Sequence, residues 1–405
     1  MLSSKKVILF AYYYLPDNTS GVQRAVRIAK YLPQYGFDTV VIASSHAGIE
    51  PRRPGVEHVP TNDNQAPRHQ EALARFVQRI APYNERLEWA PHAVHAARKI
   101  MAGETIHAVI STSPPLATHM AALALKLRHG LKWIADFRDP LYGNPGRPRV
   151  WAKPYDMALE RAIFTAADGV VAVTDTVAEE WASRYPRLRH KFHTIWNGFD
   201  PEEILRPECL PPRDYRELAH VGVLYSQRHP YNLAKGLDRL IGRGLLDPKT
   251  IRLRFVGPIE ERERFESHPT CAALLRQGVM EIQGELIPRA AANRLIATAD
   301  FLLLIDIVNL SHVGYTVPAK LYDYILVGRP ILALTDHNSP VERILAKCGV
   351  PAISLHHDDP DDEFDRKLLA FFQLPREPVT PSPWFMENFD GRRQAEMLAK
   401  LLMKI

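Results

Sequence analysis

Twice along this chain, apolar runs of strand length alternate with stretches of helical period, and a proline-rich segment separates the two series. In the first, Val7–Tyr14, Gly21–Tyr35 and Thr39–Ala43 are followed by His107–Ser111, Leu116–Arg128 and Trp133–Asp136, then by Gly169–Val173, Thr176–Arg184 and Phe192–Trp196. Strands that are apolar throughout, joined by helices, fit a parallel sheet buried on both faces. The segment Pro201–Asp214 carries four prolines and no period, as a linker would. Beyond it the rhythm restarts with Leu218–Leu224, Asn232–Arg243, Ile251–Val256, Arg262–Gln277, Val279–Gln283, Pro288–Ala297, Phe301–Ile305, Pro318–Leu326 and Pro330–Leu334. The expected fold class is α/β, with two Rossmann-like doubly wound domains, 1–200 and 201–383, facing a central cleft. Between Thr39–Ala43 and His107–Ser111, the segment Pro51–Pro67 reads as an irregular loop.

Composition removes several classes. With 46% hydrophobic and 24% charged residues the chain is neither disordered nor fibrous. Cys209, Cys271 and Cys348 are far apart and in no metal-ligand spacing, which argues against a disulfide framework and a zinc site and favours a reducing cytoplasm. Lys5-Lys6 with Val7–Leu15 imitates a signal peptide but lacks a small-residue cleavage site and is broken by Pro16. No apolar run approaches the ~18–20 residues that span a bilayer. The net charge of +5 is uneven: residues 1–200 hold 25 Lys and Arg against 18 Asp and Glu, and residues 201–405 hold 26 against 28. The basic first half suits an anionic partner, or is solvated surface. No helix-turn-helix, RNP or zinc pattern supports nucleic acid.

In open parallel sheets ligands bind beyond the carboxyl ends of strands, which directs attention to four loops. The first, Pro16–Gly21, feeds a helix through Gly21, which lets backbone N–H groups approach an anion or is simply a turn. It has neither the GxGxxG spacing of a dinucleotide site nor a P-loop. Next, Ser111-Thr112-Ser113-Pro114-Pro115 and Asp136-Phe137-Arg138-Asp139-Pro140 end two strands. Asp136 and Asp139 bracket Arg138, a set that can orient sugar hydroxyls and an acidic group, or can satisfy itself as an ion pair. His119, in the following helix, is a site residue or a packing residue. In the second half His220–Tyr225 leaves a strand and reaches Arg228, placed to clamp a diphosphate. Finally, Val317–Tyr324 sets Pro318 as a first helical residue and puts Lys320 and Asp323 near one helix N-terminus, a cation for phosphate and an acid for ribose.

Taken in order, Phe10–Gly21, Ser111–Pro115, Asp136–Pro140, Asn197-Gly198-Phe199-Asp200, His220–Arg228 and Pro318–Pro330 resemble a glycosyltransferase of the GT-B fold. The resemblance is to family 4, in the branch acting in bacterial surface-polysaccharide assembly, and covers nearly the whole chain. It implies that Asp323 stands at the second acid of the family's Glu-x7-Glu motif and holds the ribose hydroxyls. Tyr315 then stands where the first glutamate would contact the donor sugar. Pro318-Ala319-Lys320 matches Pro-Ser-Lys, keeping the cation. In the Gly-Arg-Leu-x3-Lys-Gly diphosphate motif, Gly222 and Leu224 match, Val223 replaces the arginine, and Arg228 takes the lysine position. The segment 384–405 corresponds to the last helix, which crosses back to the first domain.

The resemblance further implies a retaining transfer from a nucleotide-diphosphate sugar, UDP-sugar favoured, that needs neither metal nor cofactor. Arg228, Lys320 and the Gly21 loop take up charge on the leaving diphosphate. Asp136 and Asp139 bind and orient, or act as base, while Ser113, His119 and Arg138 meet a glycan or polyprenyl-diphosphate-linked acceptor. An anionic membrane surface is then a further partner, met by Arg68, Arg75, Arg79 and Arg86 with Phe76, Val77, Ile80 and Leu87, unless this stretch is an amphipathic helix on its own domain. Two alternatives stay open: a nucleotide-sugar 2-epimerase, which turns over donor alone, and a binding module without catalysis.

Overall fold

The computed structural model describes residues 4–17, 21–45, 55–60, 68–144, 146–210, 212–225, 228–306 and 317–405. Tyr315 lies outside them, as do Asn18, Thr19 and Ser20 of the Pro16–Gly21 loop and the side chain of Arg68. The chain divides into two compact units, the described residues through Pro201 with Phe389–Ile405, and Glu202–Asn388.

The first unit holds a seven-stranded sheet of β1 (Lys5–Ala11), β2 (Phe37–Ser45), β3 (Val56–Pro60), β4 (Ile106–Ser113), β5 (Lys132–Phe137), β6 (Gly169–Ala172) and β7 (Phe192–Thr194), in the order β3-β2-β1-β4-β5-β6-β7. Neighbours run parallel, with Leu9 of β1 between Val41 and Ile110. Both faces are covered by α1 (Val22–Tyr31), α2 (Arg68–Ile80), α3 (Ala90–Gly103), α4 (Ala117–His129), α5 (Lys153–Ala166) and α6 (Asp175–Arg184). Val7 to Phe10 are fully buried because their alternate side chains enter two separate cores. Burying a side chain such as Phe10 stabilises by about 1.5–3 kcal/mol. Helix α1 follows from Val22, Ala25, Ile28 and Tyr31 forming one buried stripe. It tightens into a 3-10 turn at Leu32–Tyr35 and stops at Gly36, whose φ of 85° a non-glycine residue rarely adopts.

The second unit holds a six-stranded sheet of β8 (Arg216–Val221), β9 (Ile251–Val256), β10 (Met280–Gln283), β11 (Phe301–Ile305), β12 (Ile331–Leu334) and β13 (Ala352–Leu355), ordered β10-β9-β8-β11-β12-β13 and parallel throughout. Its helices are α7 (Tyr231–Gly242), α8 (Arg262–Ser267), α9 (Pro269–Arg276), α10 (Arg289–Ala297), α11 (Lys320–Val327), α12 (Pro340–Leu345), α13 (Asp361–Phe372) and α14 (Pro383–Asn388). Helices α7 and α13 approach closely at Gly236, where a Cβ would stand 3.0 Å from the Phe364 ring. The last helix, α15 (Gly391–Lys404), is capped by Asp390 and packs Leu398 and Leu402 into the first unit's core.

Three expectations are corrected. Within Pro51–Pro67, read as irregular, Val56–Pro60 is the edge strand β3; its proline sits at the strand's end, where no ladder donor is needed. The single helix expected over Arg262–Gln277 is two, divided at His268 because Pro269 cannot continue the first and starts the second. Pro318 is not the first helical residue: α11 opens at Lys320 behind Ala319, and Pro318 accepts from Leu321 N at 3.0 Å. Strand order reverses between β1 and β4 in one sheet and between β8 and β11 in the other. These are the crevices where open α/β sheets bind ligands.

Candidate active site

At the first crevice the loops after β1, β4 and β5 are held by two arginines. Arg24 of α1 is buried and chelates Asp136 through Nε (2.8 Å) and Nη2 (2.6 Å), while Nη1 reaches the Trp196 carbonyl and Asn197 Oδ1. Burial pushes the Asp136 carboxyl up, but the Arg24 guanidinium outweighs it and holds the carboxyl below its ordinary value. With 1% exposure, this carboxylate anchors α1 to the end of β5. Arg138 is the second: its Nε donates to Ser113 O at 3.1 Å and its Nη2 to Pro114 O. A Cβ on Gly21 would overlap the Arg138 guanidinium, so glycine there admits the arginine. Asp139 is half-buried beside it and supports the cation.

His119 is fully buried against the Phe137 ring, centroids 4.3 Å apart. Trp133 Nε1 donates to Ser111 Oγ at 2.8 Å, leaving that hydroxyl to donate to His119 Nδ1 at 2.7 Å. Burial holds the imidazole's pKa down to about 3, so the ring is neutral. Farther along the loop after β5, Glu160 of α5 accepts from Leu141 N and Tyr142 N and from Arg184 at 3.0 Å. Burial raises its carboxyl to about 7 against the pull of Arg184.

The second unit gathers its cations at its own crevice. Gly222, with φ of 116°, ends β8, and a Cβ there would stand 2.6 Å from Lys320 Cε. Gly257 after β9, with φ of 125°, packs backbone to backbone on Gly222. Lys320, opening α11, donates to His220 Nε2 at 3.0 Å; His220 Nδ1 in turn donates to the Leu303 carbonyl at 3.0 Å, which fixes the tautomer. Burial first, and the like charge of Arg228 second, pull the Lys320 pKa down to about 7. Burial and Lys320 likewise hold His220 well below its ordinary value. Asp323 is half-buried in the first turn of α11. Arg228 also lines an open cavity of about 160 Å³ with His229, Asn232, Asp306, His356 and His357.

The structure thus brings Gly222, Lys320 and Arg228 together in one unit, and Gly21, Ser113, Arg138 and Asp139 in the other. Sequence reasoning missed Arg24, His220 and Gly257. Their signals were an arginine on the apolar stripe of α1, a histidine inside a buried strand, and a Val-Gly-Pro stop after β9. Among the described residues, one group has metal-ligand spacing, His337, His356 and Asp359. Lys367 already neutralises Asp359 at 2.8 Å and Glu342 holds His356 at 2.9 Å.

Residues 20–203 match the model of Glycosyltransferase Family 4. No curated protein matches the sequence. Solved structures are similar over the full length. Sucrose-phosphate synthase of Thermosynechococcus elongatus shares 12% identity at a TM-score of 0.61, with 99% of this chain and 97% of that one covered. Anabaena HepE, solved with UDP and glucose, also shares 12% identity at 0.61, covering 99% and 100%. WaaG, a glycosyltransferase involved in lipopolysaccharide biosynthesis, shares 16% at 0.58, covering 98% of each. Residues 20–203 are thus similar to glycosyltransferase family 4, and the chain as a whole has the GT-B fold.

Proposed function

We propose that the protein is a retaining, metal-independent glycosyltransferase that moves a sugar from a nucleotide-diphosphate donor, UDP-sugar favoured, to a glycan or polyprenyl-diphosphate-linked acceptor. The observation that carries this reading is Lys320 lying over Gly222 at the sheet's reversal point, under the field of Arg228. A half-buried lysine poised to lose its proton is restored to full charge by a diphosphate. The UDP and UDP-glucose bound by HepE, whose fold this chain shares, support the same choice of donor.

In the reaction, the bond from the anomeric carbon to the diphosphate oxygen breaks, and the acceptor oxygen bonds to that carbon on the same face. The acceptor's proton passes to the leaving phosphate oxygen, so no protein base is required. Arg228, Lys320 and the N–H groups opening α11 take up the developing charge. Asp323 holds the ribose, and Tyr315 takes the place of the glutamate that meets the donor sugar in the family motif. Asp139 and Arg138 orient the acceptor beside Ser113 and Gly21, while Asp136 and His119, both buried, position that loop. Surface-polysaccharide assembly at the cytoplasmic face of an anionic membrane accords with the basic first half.

The test is the product. Incubated with UDP-glucose and lipid extract, the enzyme should release UDP only when acceptor is present, and proton NMR should show the donor's anomeric configuration kept. Turnover of donor alone to its epimer, or an inverted linkage, would overturn the assignment.

A further inference from the structure

Beyond the carboxyl end of β13, the turn His356–Asp359 meets the segment that leads from β12 into α12, and three side chains converge there. One donor atom from each of His337, His356 and Asp359 lies within 4.8 Å of the other two. His356 Nδ1 stands 3.4 Å from Asp359 Oδ1. Two donors on a tetrahedral zinc ion, each ~2.1 Å from the metal, are about 3.4 Å apart. His356 is 5% exposed, and its Nδ1 makes no hydrogen bond among the described residues. Its other nitrogen, Nε2, donates to Glu342 Oε1 at 2.9 Å, while Glu342 Oε2 is fixed by Asn338 N at 2.6 Å. Since that carboxylate accepts, Nε2 keeps its proton and Nδ1 turns a lone pair toward the Asp359 oxygen. Two electron-rich atoms therefore face each other in a buried setting, an arrangement that a cation stabilises. The His337 ring stacks on His356 with centroids 3.6 Å apart. A proton on Nδ1 would answer the repulsion but leave a charged ring against His337, whereas a divalent cation uses both rings as neutral ligands.

We propose that His337, His356 and Asp359 bind a zinc ion that ties the end of β13 to the start of α12. Two imidazoles and one carboxylate suit zinc, not magnesium or calcium, which take oxygen ligands. Glu342 supplies the outer carboxylate that orients a zinc-bound histidine. Lys367, 2.8 Å from Asp359 Oδ1 and 2.9 Å from Oδ2, leaves the position between the three donors open. It also pairs with Glu363 at 3.0 Å, and it can keep Oδ2 while Oδ1 turns to the ion. Asp358, 3.3 Å from His337 Nε2, adds negative charge at the rim. His337 is 56% exposed, which gives the ion a path from solvent. The inference stands apart from the proposed function, because none of the three ligands is among Gly222, Arg228, Lys320 and Asp323.

The experiment is titration of the metal-free full chain, carrying no affinity tag, with zinc chloride in equilibrium dialysis. Wild type should bind one zinc per chain saturably, in the presence of excess magnesium and calcium, and Co2+ in its place should give visible absorption. His337→Ala, at an exposed position, and Asp359→Asn should each weaken zinc binding by about tenfold or more. Glu342→Gln, which keeps the acceptor for Asn338 N, should weaken it about 10–100-fold. His129→Ala, exposed on α4, should bind as wild type does. Zinc should raise the Tm of wild type and leave that of His337→Ala unchanged. Without zinc, His337→Ala should melt as wild type does and bind UDP with the same affinity, so that failure of this site and failure of the donor site are read separately. A chain with no saturable zinc site, zinc displaced by magnesium, or wild-type affinity in both His337→Ala and Asp359→Asn overturns the proposal.

Discussion

Lys320→Met separates two consequences of one half-buried cation. The lysine is packed over Gly222 with His220 as its acceptor, and its pKa falls from 10.5 to about 7. A fall of that size is equivalent to roughly 5 kcal/mol between the two protonation states, an upper bound on what charging the group costs the empty protein. The folded state binds fewer protons than the unfolded one between pH 7 and 10.5, so stability of the empty protein should rise with pH across that window. Met, unbranched and apolar, should recover on the order of 2 kcal/mol at pH 7 and raise Tm by about 4–8 °C. The same change should weaken donor binding. A bound diphosphate raises the lysine's pKa, so affinity should follow the protonated fraction of the empty site. That fraction is about 0.9 at pH 6 and 0.1 at pH 8, an affinity loss of about tenfold, or ~1.4 kcal/mol. UDP-glucose is the right probe because its phosphates are doubly esterified and do not titrate there. Calorimetry in buffers of differing ionisation enthalpy should also register uptake of about half a proton at pH 7. A wild-type affinity flat from pH 6 to 8 with no buffer dependence, or a Met variant less stable than wild type, would refute the reasoning.

Other expectations follow from particular contacts. Arg24→Ala strands the buried Asp136 carboxylate and should cost about 3–5 kcal/mol, with much of it recovered in the Arg24→Ala/Asp136→Ala double variant; thermal melts decide. Glu160, raised to about 7, makes the folded state bind more protons than the unfolded between pH 4.5 and 7. Stability should therefore fall by about 2–3 kcal/mol as pH rises through that window and level above it, and Glu160→Gln should flatten the curve. Asp323→Ala and Arg228→Ala should each reduce UDP affinity at least tenfold at unchanged Tm; a titration with unchanged affinity in both would remove the donor site. Gly222→Ala forces a side chain onto Lys320 at a φ of 116° and should abolish donor binding while the melt shifts by a few degrees.

The sheet strands were legible because they are buried on both faces. Ile251–Val256 and Phe301–Ile305 coincide with β9 and β11, and most others differ by a residue or two at their ends. Strand β3 was hidden because an edge strand needs only one covered side and tolerates proline. At the candidate site, Gly222, Arg228, Lys320 and Asp323 were singled out from their spacing at strand ends, and the structure places Gly222, Lys320 and Arg228 together. Arg24 was not, since the partner that makes it functional, Asp136, is set by tertiary packing of α1 on β5. His220 was likewise hidden: within a buried strand a histidine reads as packing until the lysine it meets is known. Asp136 and His119 were singled out from the sequence, yet their burial is a property of the fold that one-dimensional spacing does not carry.

The central claim is a diphosphate site built from protein cations alone. Isothermal titration with UDP and GDP, each with magnesium and with EDTA, tests it most directly. The account expects saturable binding of one nucleotide, equal in magnesium and EDTA and lost in Arg228→Ala. Binding that vanishes in EDTA, or no binding of either nucleotide, would contradict it.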